Sequence, residues 1–170
     1  MPSRSEHDRV FVLTREFDAP PERVFRAWTE PHQLSRWWGP HDFSNPVCEI
    51  DERPGGAYRI VMRSPEGEDY PIRGRFIDIE PGRRLVMTMD CAEHPPAWHD
   101  AIDPQRGDTL NPAGVMTNTV TFEDLGGRTR LTIRIEFDRA AMRAALEDRG
   151  MREGWTESFD RLSTLMGPAT

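Results

Sequence analysis

Arg15, Tyr58, Asn118 and Ser158 are the residues of this chain whose types and positions suit them to orienting a bound molecule. Arg15 falls on the face of an alternating segment otherwise made by Phe11, Leu13 and Phe17. A guanidinium there offers a two-pronged donor to a carboxylate or phosphate. Equally, its stem can bury while its head reaches an in-chain carboxylate such as Glu49 or Asp51. Tyr58 shares a face with Ile60 and Met62, and Asn118 with Met116, Val120 and Phe122. Polar groups on such faces are costly unless something meets them, so both are candidates for directing hydrogen bonds within an apolar site. Ser158 stands one helical turn beyond Gly154. Its hydroxyl either faces the space that the glycine leaves or bonds back to a helix carbonyl.

Around these lie soft and aromatic side chains. Met62, Met87, Met89, Met116 and Met151 sit on apolar faces, as core or as the adaptable wall of a pocket for flat or flexible apolar molecules. Trp37 and Trp38 are adjacent, so on a helix they point about 100° apart. Together they either plug the end of a sheet or present one ring to a cavity. Cys91, His94, His99 and Asp100 crowd one loop, but their spacing matches no strong zinc template, and no metal or cofactor is expected. Glu49, Asp51, Tyr58, His94 and His99 are available for acid-base work, yet no spacing demands it and no catalytic residue is assigned. Were the chain an enzyme, cyclisation, hydration or isomerisation of a bound apolar compound would suit it best.

The elements that must position these residues follow from periodicity. Arg9–Phe17 alternates as a strand. Pro21 opens a helix carrying Val24, Phe25, Ala27 and Trp28, and a second short helix carries Leu34, Trp37 and Trp38 before Gly39-Pro40. Then come strands over 47–52, 57–63, 69–79, 83–89, 116–123 and 129–137, separated by turns such as Arg53-Pro54-Gly55-Gly56, which fits type II, and Gly126-Gly127. Asp138 is expected to cap a short helix through Leu146. After the break at Arg149-Gly150, Met151, Trp155, Ser158, Phe159, Leu162, Leu165 and Met166 share one face of a longer helix, closed by Gly167-Pro168. A run of one-faced strands needs a cover, and this helix is the one long amphipathic element. It should lie in the concavity of a curled antiparallel sheet. Gly154, where Ala would favour the helix by about 1 kcal/mol, suggests that it does not fill that concavity.

Composition narrows the class. The chain has 170 residues, is 36% hydrophobic and carries a net charge of −7, which suits one globular domain. It has no clustered basic face, so nucleic acid is excluded as a partner. All 22 basic residues are Arg, which excludes lysine Schiff-base and P-loop chemistry. No apolar run is long enough for a membrane helix, and the polar stretch at 1–8 holds no leader core, so a cytoplasmic protein without membrane contact is expected. Cys48 and Cys91 are read as free thiols.

Several phrases in order resemble the family of activator-of-heat-shock-protein-90-ATPase homologues, within the START-like (SRPBCC) superfamily. They are Phe17-Asp18-Ala19-Pro20-Pro21-Glu22-Arg23-Val24-Phe25-Arg26-Ala27-Trp28, then Trp37-Trp38-Gly39-Pro40, Val47-Cys48-Glu49-Ile50-Asp51 with Arg53-Pro54-Gly55-Gly56, and Gly150-Met151-Arg152-Glu153-Gly154-Trp155. The resemblance implies a single domain with its core at 9–166 and an α+β helix-grip fold: a curved seven-stranded antiparallel sheet wrapped around the C-terminal helix over a hydrophobic cavity. The ligand-binding set is then Arg15, Trp37, Trp38, Tyr58, Met62, Met87, Met89, Asn118, Gly154, Trp155 and Ser158. The expected partner is a small hydrophobic molecule. The family name points also to a chaperone or other protein partner in the stress response, and edge strands can pair two copies into a homodimer. The segment Cys91–Val115, long for a hairpin loop, is expected to act as a lid anchored by Trp98.

Overall fold

In the computed structural model, which describes residues 7–167, period-two alternation yields a seven-stranded sheet with order β1-β7-β6-β5-β4-β3-β2. The strands are β1 (Val10–Phe17), β2 (Ser44–Ile50), β3 (Ala57–Arg63), β4 (Asp69–Glu80), β5 (Arg84–Asp90), β6 (Val115–Asp124) and β7 (Thr129–Glu136). Every neighbouring pair is antiparallel. Strands β2 to β7 follow one another as neighbours, and β1 lies beside β7, so the first two strands in sequence form opposite edges. The polar stretch at 1–6 and the stop assigned to Pro168 lie outside the described residues.

Helices α1 (Pro21–Thr29) and α2 (Pro31–Trp37) connect those two edges. Each begins at a proline, whose missing N–H would have no helical partner in the first turn. The inner sheet face is the apolar one: Ile60, Phe76, Leu85, Val120, Leu131 and Ile133 are buried. Covering it is α5 (Met151–Met166), through buried Phe159, Leu162 and Met166. The conformation of Gly150, φ +93°, separates α5 from α4 (Ala140–Asp148). The expected type II turn forms at Arg53–Gly56: Gly55 has φ +81°, and the Gly56 N–H donates to the Arg53 carbonyl at 2.8 Å.

Three local expectations change. Strand β2 starts earlier, at Ser44, with a bulge before Val47, and ends at Ile50 because the Asp51 N–H already closes the turn onto the Ala57 carbonyl. Asp138 does not cap α4: Arg139 occupies the N-cap position without a side-chain bond, and Asp138 is exposed one residue earlier. Within Cys91–Val115 the chain forms a short helix, α3 (Pro96–Ile102), again opened by proline. Ile102 and Ala113 of this segment are buried, so it is built into the core rather than laid over it. Among the described residues, no helix is long and apolar enough to cross a membrane.

Candidate functional site

Met151, Gly154, Trp155 and Ser158 recur at helical spacing, so one stripe of α5 faces the sheet near that helix's start. A methyl group on Gly154 would meet nothing outside its own helix nearer than Pro40 Cγ, at 4.0 Å. Gly154 borders a cavity of about 240 Å³ between this stripe and the sheet. The sheet supplies its floor with Met62, Ile72, Met89, Met116 and Ile135, one from each of β3 to β7. The rim is built by Trp38, Gly39 and Pro40 after α2, by Cys91 and Trp98 from the β5–β6 segment, and by Leu146, Arg149 and Gly150 at the α4–α5 junction.

Two polar contacts hold the Trp38–Pro40 rim against α5. Ser158 Oγ donates to the Gly154 carbonyl and accepts from the Gly39 N–H, both at 3.0 Å. The hydroxyl is thus used in bonding back to its own helix and to the rim, and the residue also borders the cavity. Arg161 Nη1 donates to the carbonyls of Trp38, Gly39 and Pro40 at 3.0 Å each, and Nη2 to that of Arg36 at 3.1 Å. These bonds meet carbonyls that the end of α2 leaves without helical partners.

The two adjacent tryptophans divide the alternatives between them. Trp37 is fully buried, donates from Nε1 to the Ala27 carbonyl at 2.8 Å, and packs edge-on against Trp28 at 4.8 Å. Trp38 turns to the cavity and meets Trp155 at 5.2 Å, nearly perpendicular. Trp98 packs edge-on against His94 at 4.5 Å and His99 at 5.1 Å while bordering the cavity. His94 Nδ1 lies 3.0 Å from the Pro71 carbonyl. Burial pushes its pKa down to about 4, so the ring is neutral and Nδ1–H is the donor. Burial pushes the Cys91 thiol up to about 12, so it stays protonated. No cluster of His, Cys, Asp and Glu among the described residues is arranged to hold a metal ion.

The structure brings Trp38, Met62, Met89, Gly154, Trp155 and Ser158 together at this cavity, and leaves the other five expected residues outside its lining. Arg15 is ion-paired with Asp160 at 2.5 Å, not with Glu49 or Asp51. The reason is topological: β1 and β2 are opposite edges of the sheet, whereas α5 crosses beside β1. The guanidinium holds the Asp160 carboxyl below the usual carboxylate range. Trp37 is the plug just described. Tyr58 lies opposite Gly74 and passes its hydroxyl to the Thr88 carbonyl. It borders a separate, larger groove of about 640 Å³. In that groove Arg59 pairs with Glu93 at 2.7 Å and Arg73 with Asp90 at 3.5 Å, so its charges largely answer one another. Met87 is packed into the core opposite Asn118 in the β5–β6 register. Asn118 itself is completely buried, and neither its Oδ1 nor its Nδ2 has a hydrogen-bond partner.

Sequence reasoning had no place for Arg149, Leu146 or Ile72 in the site, and weighed Cys91 as a free thiol and as a metal ligand but not as a wall of the cavity. A usable signal for Arg149 existed: a charged residue directly before the glycine break that starts the lining helix.

A family model described as Activator of Hsp90 ATPase homolog 1-like protein matches residues 18–167. No curated protein matches the chain. Among solved structures it is similar to a protein from Arthrobacter aurescens, 27% identical over 99% of this chain and 91% of that one, with TM-score 0.79. A protein from Nitrosomonas europaea is 28% identical over 94% of each chain, with TM-score 0.76. The AHSA1 protein from Silicibacter pomeroyi shares the fold at 24% identity, over 92% of this chain and 96% of that one, with TM-score 0.69. With its curved antiparallel sheet gripping a C-terminal helix, the chain belongs to the family of Activator of Hsp90 ATPase homolog 1-like proteins, in the START-like group.

Proposed function

We propose that the protein binds a small, mainly hydrophobic molecule between α5 and the sheet. The observation that carries this reading is the cavity of about 240 Å³ walled by three tryptophans and four methionines. Such a wall is apolar, polarisable and adaptable, since thioethers and indoles contact flat or flexible guests without demanding one shape. Each Å² of apolar guest surface removed from water contributes about 25 cal/mol before ordering costs. Among the described residues the lining holds no carboxylate or imidazole, and its one thiol is protonated. The site is thus better suited to holding a guest than to moving protons on it. Although the β5–β6 segment is anchored in the core, its Trp98 borders the cavity and is the part of it that could gate a guest.

Native mass spectrometry of freshly purified protein tests the reading. A co-purifying small molecule is expected, and it should be lost in Gly154→Leu, whose side chain projects into the hollow. Protein that carries no adduct and takes up no apolar probe overturns the assignment.

A further inference from the structure

We propose that Arg149 makes this cavity selective for monoanions: an apolar body of one or two rings occupies the hollow, and its carboxylate meets the Arg149 guanidinium. The proposal rests on the binding reading above and adds a ligand class to it.

Among the described residues that line the cavity, Arg149 is the one charged residue. Ser158, the one hydroxyl residue among the described residues of the lining, already donates to Gly154 and accepts from Gly39. The indoles of Trp38, Trp98 and Trp155 can only donate. The side chains of the lining therefore favour a guest acceptor, whose best partner is a cation.

The surrounding arginines are already engaged. Arg15 pairs with Asp160 at 2.5 Å, Arg143 with Glu147 at 2.7 Å, and Arg152 with Glu147 at 3.8 Å, while Arg161 is directed at four carbonyls. Among the described residues the Arg149 guanidinium has no ion pair and no hydrogen bond to an in-chain acceptor. Its backbone is nevertheless fixed, with its N–H shared between the Ala145 and Leu146 carbonyls at 3.1 and 3.2 Å and Gly150 locked at φ +93° behind it. Arg149 is exposed, so it stands where the cavity opens to water. A guanidinium offers a carboxylate two parallel donors. No second cation lines the cavity, which favours a single negative charge.

Size sets the body. An apolar hollow of about 150 Å³ takes up benzene, so about 240 Å³ leaves room for a second fused ring.

The test is equilibrium titration of the whole chain with 2-naphthoate and with its neutral counterpart 2-naphthamide, read by tryptophan fluorescence. Because the ion pair would be solvent-exposed, the carboxylate is expected to bind only about fivefold more tightly at low salt, with the margin narrowing as salt rises. Arg149→Gln should weaken naphthoate alone and erase the margin, and Arg149→Lys should retain part of it. Circular dichroism melts check that each variant is folded. Equal affinities for the two probes in the wild type, or a margin that survives Arg149→Gln, overturns the anion assignment and leaves the cavity reading standing. Failure of both probes to bind, or undiminished binding of both to Gly154→Leu, overturns the cavity reading and the anion assignment with it.

Discussion

The two halves of α5 pack against the same sheet in opposite ways. Its second half is solid: Phe159, Leu162 and Met166 are buried, and Phe159 meets Phe17 edge-on at 5.8 Å and Trp37 at 6.4 Å. Its first half, from Met151 to Ser158, borders the hollow. Both halves have apolar residues at helical spacing, so amphipathicity alone does not distinguish them. The difference lies in what meets the helix. Large rings from α1, α2 and β1 fill one end. At the other, a glycine on the helix and thioethers and branched chains on the sheet border a hollow that is open to solvent at its rim. A close-packed end can anchor the helix while the other end keeps space for a guest, because interiors lose dispersion contacts only where partner atoms are missing.

The largest effect should come from breaking the solid end. Trp37→Ala removes a fully buried indole and leaves the Ala27 carbonyl without its donor, costing about 3–5 kcal/mol in urea or thermal unfolding. Trp155→Ala, at the half-buried edge of the hollow, should cost clearly less, and equal costs would erase the contrast between the halves. Next is acidification around His94, beside Trp98. The neutral His94 has a folded pKa of about 4 against roughly 6.5 when unfolded. The unfolded chain therefore binds more protons between those values, and stability falls as pH drops from about 6.5 to about 4, by roughly 3 kcal/mol in total. His94→Asn, which keeps a donor for Pro71 but does not titrate, should flatten that slope in pH-dependent denaturation.

A smaller and opposite effect is expected at the hollow. Gly154→Ala should raise stability by about 1 kcal/mol through helix propensity, since the added methyl meets only Pro40 Cγ at 4.0 Å. Gly154→Leu should reduce uptake of an apolar probe at least tenfold. If Gly154→Ala destabilises instead, the glycine is required for packing rather than for space. Smallest is Arg15→Ala: a partly exposed pair contributes no more than about 1 kcal/mol, and a probe titration should show unchanged affinity, because Arg15 lies outside the cavity. The lid is tested with Trp98→Ala and stopped-flow release of a bound probe, which should be faster; an unchanged rate counts against the lid. Deleting the whole segment would instead expose the core around Ile102 and Ala113.

Most of the fold was legible because local rules set it. Alternation on Phe11–Phe17, the Pro-Gly turn at 53–56 and the helical stripe from Met151 to Met166 each depend on residues close in sequence. Asp138 was misread because a capping residue type is only a preference, and the chain entered α4 one residue later without a side-chain cap. The site was half legible. Trp38, Met62, Met89, Trp155, Gly154 and Ser158 could be found from face and size, whereas Tyr58, Met87 and Asn118 share the correct face but sit too deep or too far along it.

The sequence by itself determined which residues face inward, where the chain turns, and that one amphipathic helix must cover the sheet, because these depend on local geometry and hydrophobic period. Only the tertiary structure decided that Arg15 answers Asp160, that Trp37 seals while Trp38 lines, and that Arg149 stands at the rim. Those outcomes depend on strand order and on distances between segments far apart in the chain, and no local pattern encodes either.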